Sequence, residues 1–391
     1  MAENLWNSFK LSSDRSVLFI IRPNPKHKVI QIILQLTSFM LYLTEFVIVL
    51  INVVQQKEGL VMSVINAMFL IMIFGMCIIT IELIIKKDNI IELISWCTEP
   101  TWKKFHKSML PEAGNKFLRI RNLSAAIILF NIKLYDVLSL LTTFIVGIAM
   151  QIIPSLRYNL ALPWHLPIEN YKTWPAFFTT LLIQTAGTVA LSQVISFFVS
   201  FIVMFYLHVK EYVEIILCEY EKLNEKLRNK RSTECVDVNE SLKILVIMIE
   251  NYIRILTKFS TLMSNILMCL EIISIATIFC NAFILLIVKK TEHYFIAWGI
   301  MTFNLNALGI AYINEKFKDM STKISNALYE LPWDELSPEQ RRFIQFSMKC
   351  IDVDITLNSG NIHEFSLERF GDITTKAYSN TLILKRILEK V

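Results

Sequence analysis

Asn326-Ala327-Leu328-Tyr329-Glu330-Leu331-Pro332-Trp333-Asp334-Glu335-Leu336, then Thr356-Leu357-Asn358-Ser359-Gly360, then a last helix running through Tyr378-Ser379: the reading of this 391-residue chain turns on these stretches. Six apolar segments precede them, each long enough to cross a bilayer. The last helix is different, because Leu382-Ile383-Leu384 is its longest apolar run. At helical spacing Leu367, Phe370, Ile373 and Ala377 form one face. Asp372, Lys376, Ser379, Ile383 and Arg386 step down another, and Ile387 continues it. A charged face at membrane depth is tolerated only against protein or a water-filled cavity. The last helix is therefore expected to cross the membrane and line water, which points to a channel.

Working outward, the composition agrees. The chain is 54% hydrophobic with a mean hydropathy of +0.48, outside the soluble globular range. Its 9 glycines and 10 prolines are few, so long helices are expected. The spans are read at Val29–Val54, Leu60–Ile85, Ser124–Ile153, Phe177–Leu207, Leu256–Val288 and Phe295–Ile313. Several exceed the ~20 residues that a crossing needs, and the excess is expected to continue as helix beyond the membrane. Ile216, Tyr220, Leu223 and Leu227 make one apolar stripe on a charged helix. After a break at Arg231–Val238, Leu242, Leu245, Ile249 and Tyr252 begin a return helix of the same kind. Residues 208–252 thus read as a helical hairpin below the membrane.

Sidedness follows from charge. Residues 1–28, 86–123, 208–254 and 314–366 carry 27 Lys and Arg, whereas the opposite loops and the tail carry 8. By the positive-inside rule the first set, and with it the N-terminus, is cytosolic. If the last helix crosses, the fold is an all-α, seven-span membrane protein with an extracellular C-terminus. Met1 to Lys28 is mixed in charge and has no apolar core long enough for a cleavable signal, so it reads as a cytosolic N-terminal segment. None of the seven cysteines falls in a segment placed outside, which argues against an extracellular disulfide framework. No spacing suits a metal site.

Ala327, Tyr329, Pro332-Trp333, Arg341-Arg342, Thr356-Leu357, Phe365-Ser366-Leu367, Phe370 and Tyr378-Ser379 together resemble the C-terminal signature of insect odorant receptors. The cytosolic N-terminus, the long helices and the hairpin match that family in layout over nearly the whole chain. One departure stands out: Asn380-Thr381 replace the pair of aromatics that usually follows Tyr-Ser. The resemblance implies a ligand-gated, non-selective cation channel in the plasma membrane of sensory neurons. It implies a tuning subunit, opened by volatile organic molecules, that forms a heterotetramer with a shared coreceptor. It also implies that the seventh helix is split. Residues 29–313 then hold six spans, 314–362 a cytosolic anchor region with its helix at 334–350, and 363–391 the pore helix and C-terminus. Tyr329, Pro332 and Trp333 would serve assembly. Ile383 falls where members place a hydrophobic gate, and an apolar ring in a wet pore closes it by dewetting.

An odorant site should be apolar, with a few polar groups for orientation. With a cytosolic N-terminus, the outer ends of the spans supply the candidates. They are Ile65, Met68, Phe69 and Met72 on the second span; Phe144, Gly147, Ile148 and Gln151 on the third; Phe177, Leu181 and Gln184 on the fourth; and Trp298, Met301 and Phe303 on the sixth. Met and Phe suit adaptable recognition by dispersion and shape. Two intramembrane carboxyls, Glu45 and Glu271, have no partner on their own helices and are expected to meet one across the bundle.

Other classes fit less well. A G-protein-coupled receptor needs the opposite orientation and lacks here both an Asp-Arg-Tyr after the third span and an Asn-Pro-x-x-Tyr in the last. An enzyme needs a catalytic constellation, and the six histidines are scattered singly. A secondary transporter wants internal repeats. A gustatory-type channel shares the layout, and the last-helix signature argues against it. No cofactor, metal or nucleic acid is expected; the partners are membrane lipid, a volatile ligand and the coreceptor.

Overall fold

The computed structural model describes Asn7, Lys10 and residues 28–55, 60–98, 111–141, 144, 148, 173–228, 235–288, 291–352 and 356–388. Among them the structure is almost wholly helical. α1 (Lys28–Gln55) and α2 (Leu60–Ile85) follow the expected spans, α2 to the residue. α4 (Pro111–Leu140) starts thirteen residues before the span read at Ser124. α5 (Trp174–Arg228) and α6 (Cys235–Phe283, extended by a π-turn at Ile284–Val288) are the long pair, and α7 covers Thr291–Tyr329. At 55 residues α5 is about 80 Å long, more than twice the hydrocarbon thickness. Among the described residues three helices are long and apolar enough to cross a membrane: Ser63–Ile85, Trp174–Arg228 and Val238–Ile287. Shorter apolar stretches lie at Leu43–Val54 and Asn122–Tyr135.

The α5–α6 hairpin forms as its stripes require. Ile216, Tyr220, Leu223 and Leu227 are buried against Leu242, Leu245, Ile249 and Tyr252. The Tyr212 hydroxyl donates to Met248 O at 3.3 Å. The return helix already runs at Cys235, inside the segment read as the break. Above the hairpin α5, α6 and α7 meet in an aromatic core. Phe205 and Phe259 stack at 3.9 Å between centroids, and Phe317 meets both edge-on at 6.1 and 6.0 Å. Lipid supplies little hydrophobic drive between helices, so such close packing carries the association. Gly75 shows how close: a Cβ there would lie 2.6 Å from the Ile273 side chain of α6.

Two elements were not anticipated. α3 (Lys87–Thr98) is amphipathic, burying Ile90, Leu93, Ile94 and Cys97 while Lys87, Asp88 and Glu92 stay exposed. Its Trp96 meets the Tyr212 ring edge-on at 5.7 Å. The second is a small hairpin, β1 (Asn358–Ser359) and β2 (His363–Glu364), antiparallel with Ser359 opposite His363. Gly360 and Asn361 both have positive φ (60° and 57°), and Ile362 N donates back to Ser359 O at 3.0 Å, so the turn is of type I′.

The hairpin separates the two parts of the last helix, as the split expectation requires. A 3₁₀ turn at Trp333–Glu335 leads into α8 (Pro338–Asp352), capped by Ser337, whose hydroxyl accepts Gln340 N at 3.3 Å while Gln340 reaches back to Ser337 N at 2.8 Å. α9 (Leu367–Leu388) follows the hairpin, with Ser366 at its start accepting Arg369 N.

Candidate ligand pocket and pore helix

The candidate ligand residues fall into three groups. Ile65 and Phe69 are buried with Ile48 and Val49 of α1 and with Cys280 and Ile284 at the end of α6; Met68 and Met72 pack on this cluster. Phe177 and Leu181 of α5 form a second cluster, on which Phe144 packs. Gln184, one turn further along α5, is fully buried. Phe303 belongs to the main core. Met301 and Ile148 are exposed (50% and 41%) and join no cluster. Gly147 and Gln151 lie outside the described residues, and so does the side chain of Trp298, whose backbone is on α7.

A small cavity lies elsewhere, at mid-bundle. Met76 and Ile79 of α2, Val194 and Phe198 of α5, Leu270 of α6 and Phe303, Asn306 and Ile310 of α7 line it. Phe303 alone was anticipated. The others were missed because each reads as ordinary core of an apolar helix. Asn306 was the available signal, a lone amide on an apolar face, and its side chain bonds the Tyr135 hydroxyl of α4. The cavity holds ≈ 10 Å³, near the lower limit for one water. Sites for drug-sized ligands run to about 300–1,000 Å³. A drug-sized ligand fits this cavity only as the helices around it part.

The buried carboxyls of Glu45 and Glu271 have different surroundings. Glu45 sits in the notch left by Gly187 of α5, where a Cβ would lie 1.9 Å from its Oε1. The expected cross-bundle partner is not found, since no hydrogen-bond donor reaches Oε1 among the described residues. Glu271 meets the expectation: His363 Nε2 lies 2.6 Å from Oε2, and Arg369 Nε donates to Oε1 at 3.0 Å.

α9 presents the two faces read from its sequence. Leu367 and Phe370 pack against the core, and Ala377 is buried. Asp372, Lys376, Ser379, Ile383, Arg386 and Ile387 are all exposed, Ile383 at 56%. The departure at Asn380-Thr381 splits between the faces: Asn380 is exposed, and Thr381 is fully buried with its hydroxyl on Ala377 O at 2.8 Å. A threonine can satisfy itself this way inside the bundle.

At the α7–α8 junction Tyr329 is 71% exposed, while Pro332 is half-buried. Trp333 is half-buried. It packs on its own chain's core, and its Nε1 donates to Tyr329 O at 2.9 Å, satisfying a carbonyl at the end of α7. Like Tyr329, Phe343 and Phe346 of α8 are exposed, at 58% and 67%.

A bundle of long apolar helices, with a small apolar cavity and an exposed polar face on its last helix, is the architecture of a multi-span membrane protein. The chain belongs to the odorant receptor family: the model of the family described as 7tm Odorant receptor matches residues 106–378. No curated protein matches the sequence. Among solved structures, the insect olfactory receptor OR5 from Machilis hrabei in complex with eugenol is similar at a TM-score of 0.75 and 10% identity, covering 97% of this chain and 100% of that one. The structure of the same receptor described without eugenol is similar at 0.74 and 12% identity, covering 98% and 100%. At such identity the likeness is one of fold, and the shared fold is that of a seven-helix membrane protein.

Proposed function

We propose that this chain is the tuning subunit of an odorant-gated, non-selective cation channel. It works as a heterotetramer with a coreceptor in the plasma membrane of sensory neurons. The N-terminus and the α5–α6 hairpin are cytosolic and the C-terminus is extracellular, a reading supported by the 27-to-8 bias of Lys and Arg. Apolar volatiles bind between the outer halves of the helices, among Ile65, Met68, Phe69, Met72, Phe144, Phe177, Leu181, Gln184 and Phe303. Opening occurs at a central pore lined by α9, with Ile383 as its constriction. Tyr329 and α8 contribute to assembly.

The observation that carries this reading is the free face of α9. Asp372, Lys376 and Ser379 project away from a helix whose opposite side is packed, with Ile383 one turn on. Such a face at membrane depth needs water or other subunits beside it. Eugenol occupies the similar receptor named above, so an aromatic volatile belongs in the first ligand panel. The test is co-expression with a coreceptor and whole-cell recording during a panel of volatile alcohols, esters and phenols, with and without blockade of G proteins. Ligand-evoked cation currents that survive the blockade are expected. Currents abolished by it would overturn the channel reading.

A further inference from the structure

One stripe of α6 is given over to the segment that leads into α9. Ser260, Ser264, Met268 and Glu271 follow at spacings of four, four and three, a single helical face. Ser260 Oγ donates to Thr356 O at 2.7 Å. Ser264 Oγ donates to Asn361 Oδ1 at 3.0 Å, and Ser264 O accepts Gly360 N at 3.0 Å. Met268 underlies the turn so closely that a Cβ on Gly360 would lie 2.8 Å from its Sδ. Glu271 ends the stripe. Its side chain is 5% exposed and uses one oxygen for each of two segments: His363 of β2 on Oε2, and Arg369 in the first turn of α9 on Oε1. The other side of the hairpin is held by α7, where Lys318 pairs with Glu364 at 2.6 Å and Asn314 bonds Leu357 N and Phe365 O.

We propose that Glu271 is the positioning residue that couples α6 to the pore helix, holding Arg369, and with it the first turn of α9, in the closed register. This rests on the reading of α9 as pore-lining. The carboxylate is poorly explained as a stabiliser, because a buried ion pair is often no better than apolar residues of the same volume. What it adds is direction. Its bonds of 2.6 and 3.0 Å lapse once the partners part by about 1 Å, so a small slide of α6 releases the hairpin and the pore helix together. The lever is continuous: Cys280 and Ile284, which close the cluster around Ile65 and Phe69, lie nine and thirteen residues beyond Glu271 on α6 and its π-turn. That spacing is roughly 13–20 Å of helix. A ligand that wedges this cluster acts on Glu271 through rigid helix.

The test uses the full chain in two settings. In nanodiscs, amide exchange over residues 366–373 is compared between the wild type, Glu271→Gln and Glu271→Asp; the aspartate keeps the charge but withdraws it by one methylene. In cells expressing the coreceptor, ligand-free and ligand-evoked currents, scaled to surface label, are compared for Glu271→Gln, Arg369→Gln and the charge-swapped Glu271→Arg/Arg369→Glu. At least about tenfold faster exchange at 366–373, with α8 unchanged, is expected for Glu271→Gln. A smaller rise is expected for Glu271→Asp, which serves if the glutamine variant does not fold. Both single variants shift the ratio of ligand-free to evoked current, and the swap restores it. Unmoved exchange, or an unmoved current ratio in a channel whose wild type conducts, overturns the coupling. A wild type without ligand-gated current refutes the pore reading instead.

Discussion

Asn314 is the best place to test whether the segment between α8 and α9 is held as described. It is fully buried on α7 and uses both ends of its amide. Oδ1 accepts Leu357 N at 2.8 Å, while Nδ2 donates to Phe365 O at 3.0 Å and to the Glu364 carboxylate at 3.1 Å. Asn314→Ala removes two neutral hydrogen bonds of about 1 kcal/mol each and one charge-assisted bond of about 1.5–3 kcal/mol. The sum, about 3.5–5 kcal/mol, falls on a hairpin of two-residue strands that has little else of its own. Each 1.4 kcal/mol is a factor of ten, so the hairpin should open at least about two orders of magnitude more often. The assay is amide exchange at Gly360, Ile362 and Phe365, whose N–H groups bond Ser264 O, Ser359 O and Leu357 O. These amides should lose protection in Asn314→Ala while those of α8 keep theirs. A change below about threefold at all three would refute the reasoning, because it would mean that neighbouring contacts hold the hairpin without the amide.

Other outcomes follow from single positions. Gly360→Ala meets both a left-handed φ of 60° and the Met268 Sδ at 2.8 Å; it should cost about 1–2 kcal/mol in backbone strain alone, read as a lower thermal midpoint. Gly187→Ala drives a methyl to 1.9 Å from Glu45 Oε1. The overpacking should cost about 1–3 kcal/mol, and Glu45→Ala in the same chain should restore surface yield. Ile383→Ala should raise ligand-free current or alter ion permeability; unchanged basal current and selectivity would place the constriction elsewhere. The sequons at Asn122 and Asn239 should stay bare when expressed in glycosylating cells, so treatment with a glycosidase should leave electrophoretic mobility unchanged.

What could be read from the chain was what is periodic or uniform. Leu60–Ile85 is apolar over nearly its whole length and has charged flanks at Lys57-Glu58 and Lys86-Lys87, so its ends are unambiguous. Ile216 to Leu227 and Leu242 to Tyr252 repeat at helical spacing, and the hairpin follows. The two faces of α9 came from the same rule. By contrast, β1 and β2 are too short to alternate, and their reason for existing lies on α6 and α7, far away in sequence. A large aromatic at a break suggests an interface, but nothing in the sequence shows that the Trp333 indole N–H also meets the Tyr329 carbonyl one turn back. The candidate ligand residues follow from depth and residue type. Depth cannot say which way a helix is turned, so it does not show that Met301 and Ile148 are exposed or that Met76, Phe198 and Asn306 line a cavity.

The near-absence of room at mid-bundle also bears on how selectivity would be distributed. If a volatile is housed between α2, α5, α6 and α7, its observed affinity is its contact affinity scaled by the fraction of molecules already parted there. A volatile does not fit within ≈ 10 Å³, so the helices there must part to admit it. Residues that never touch a ligand, such as the Phe205–Phe259 stack, then set the threshold for every odorant at once, while the lining sets their rank. Loosening the stack should lower all thresholds in parallel and leave the order of preference intact.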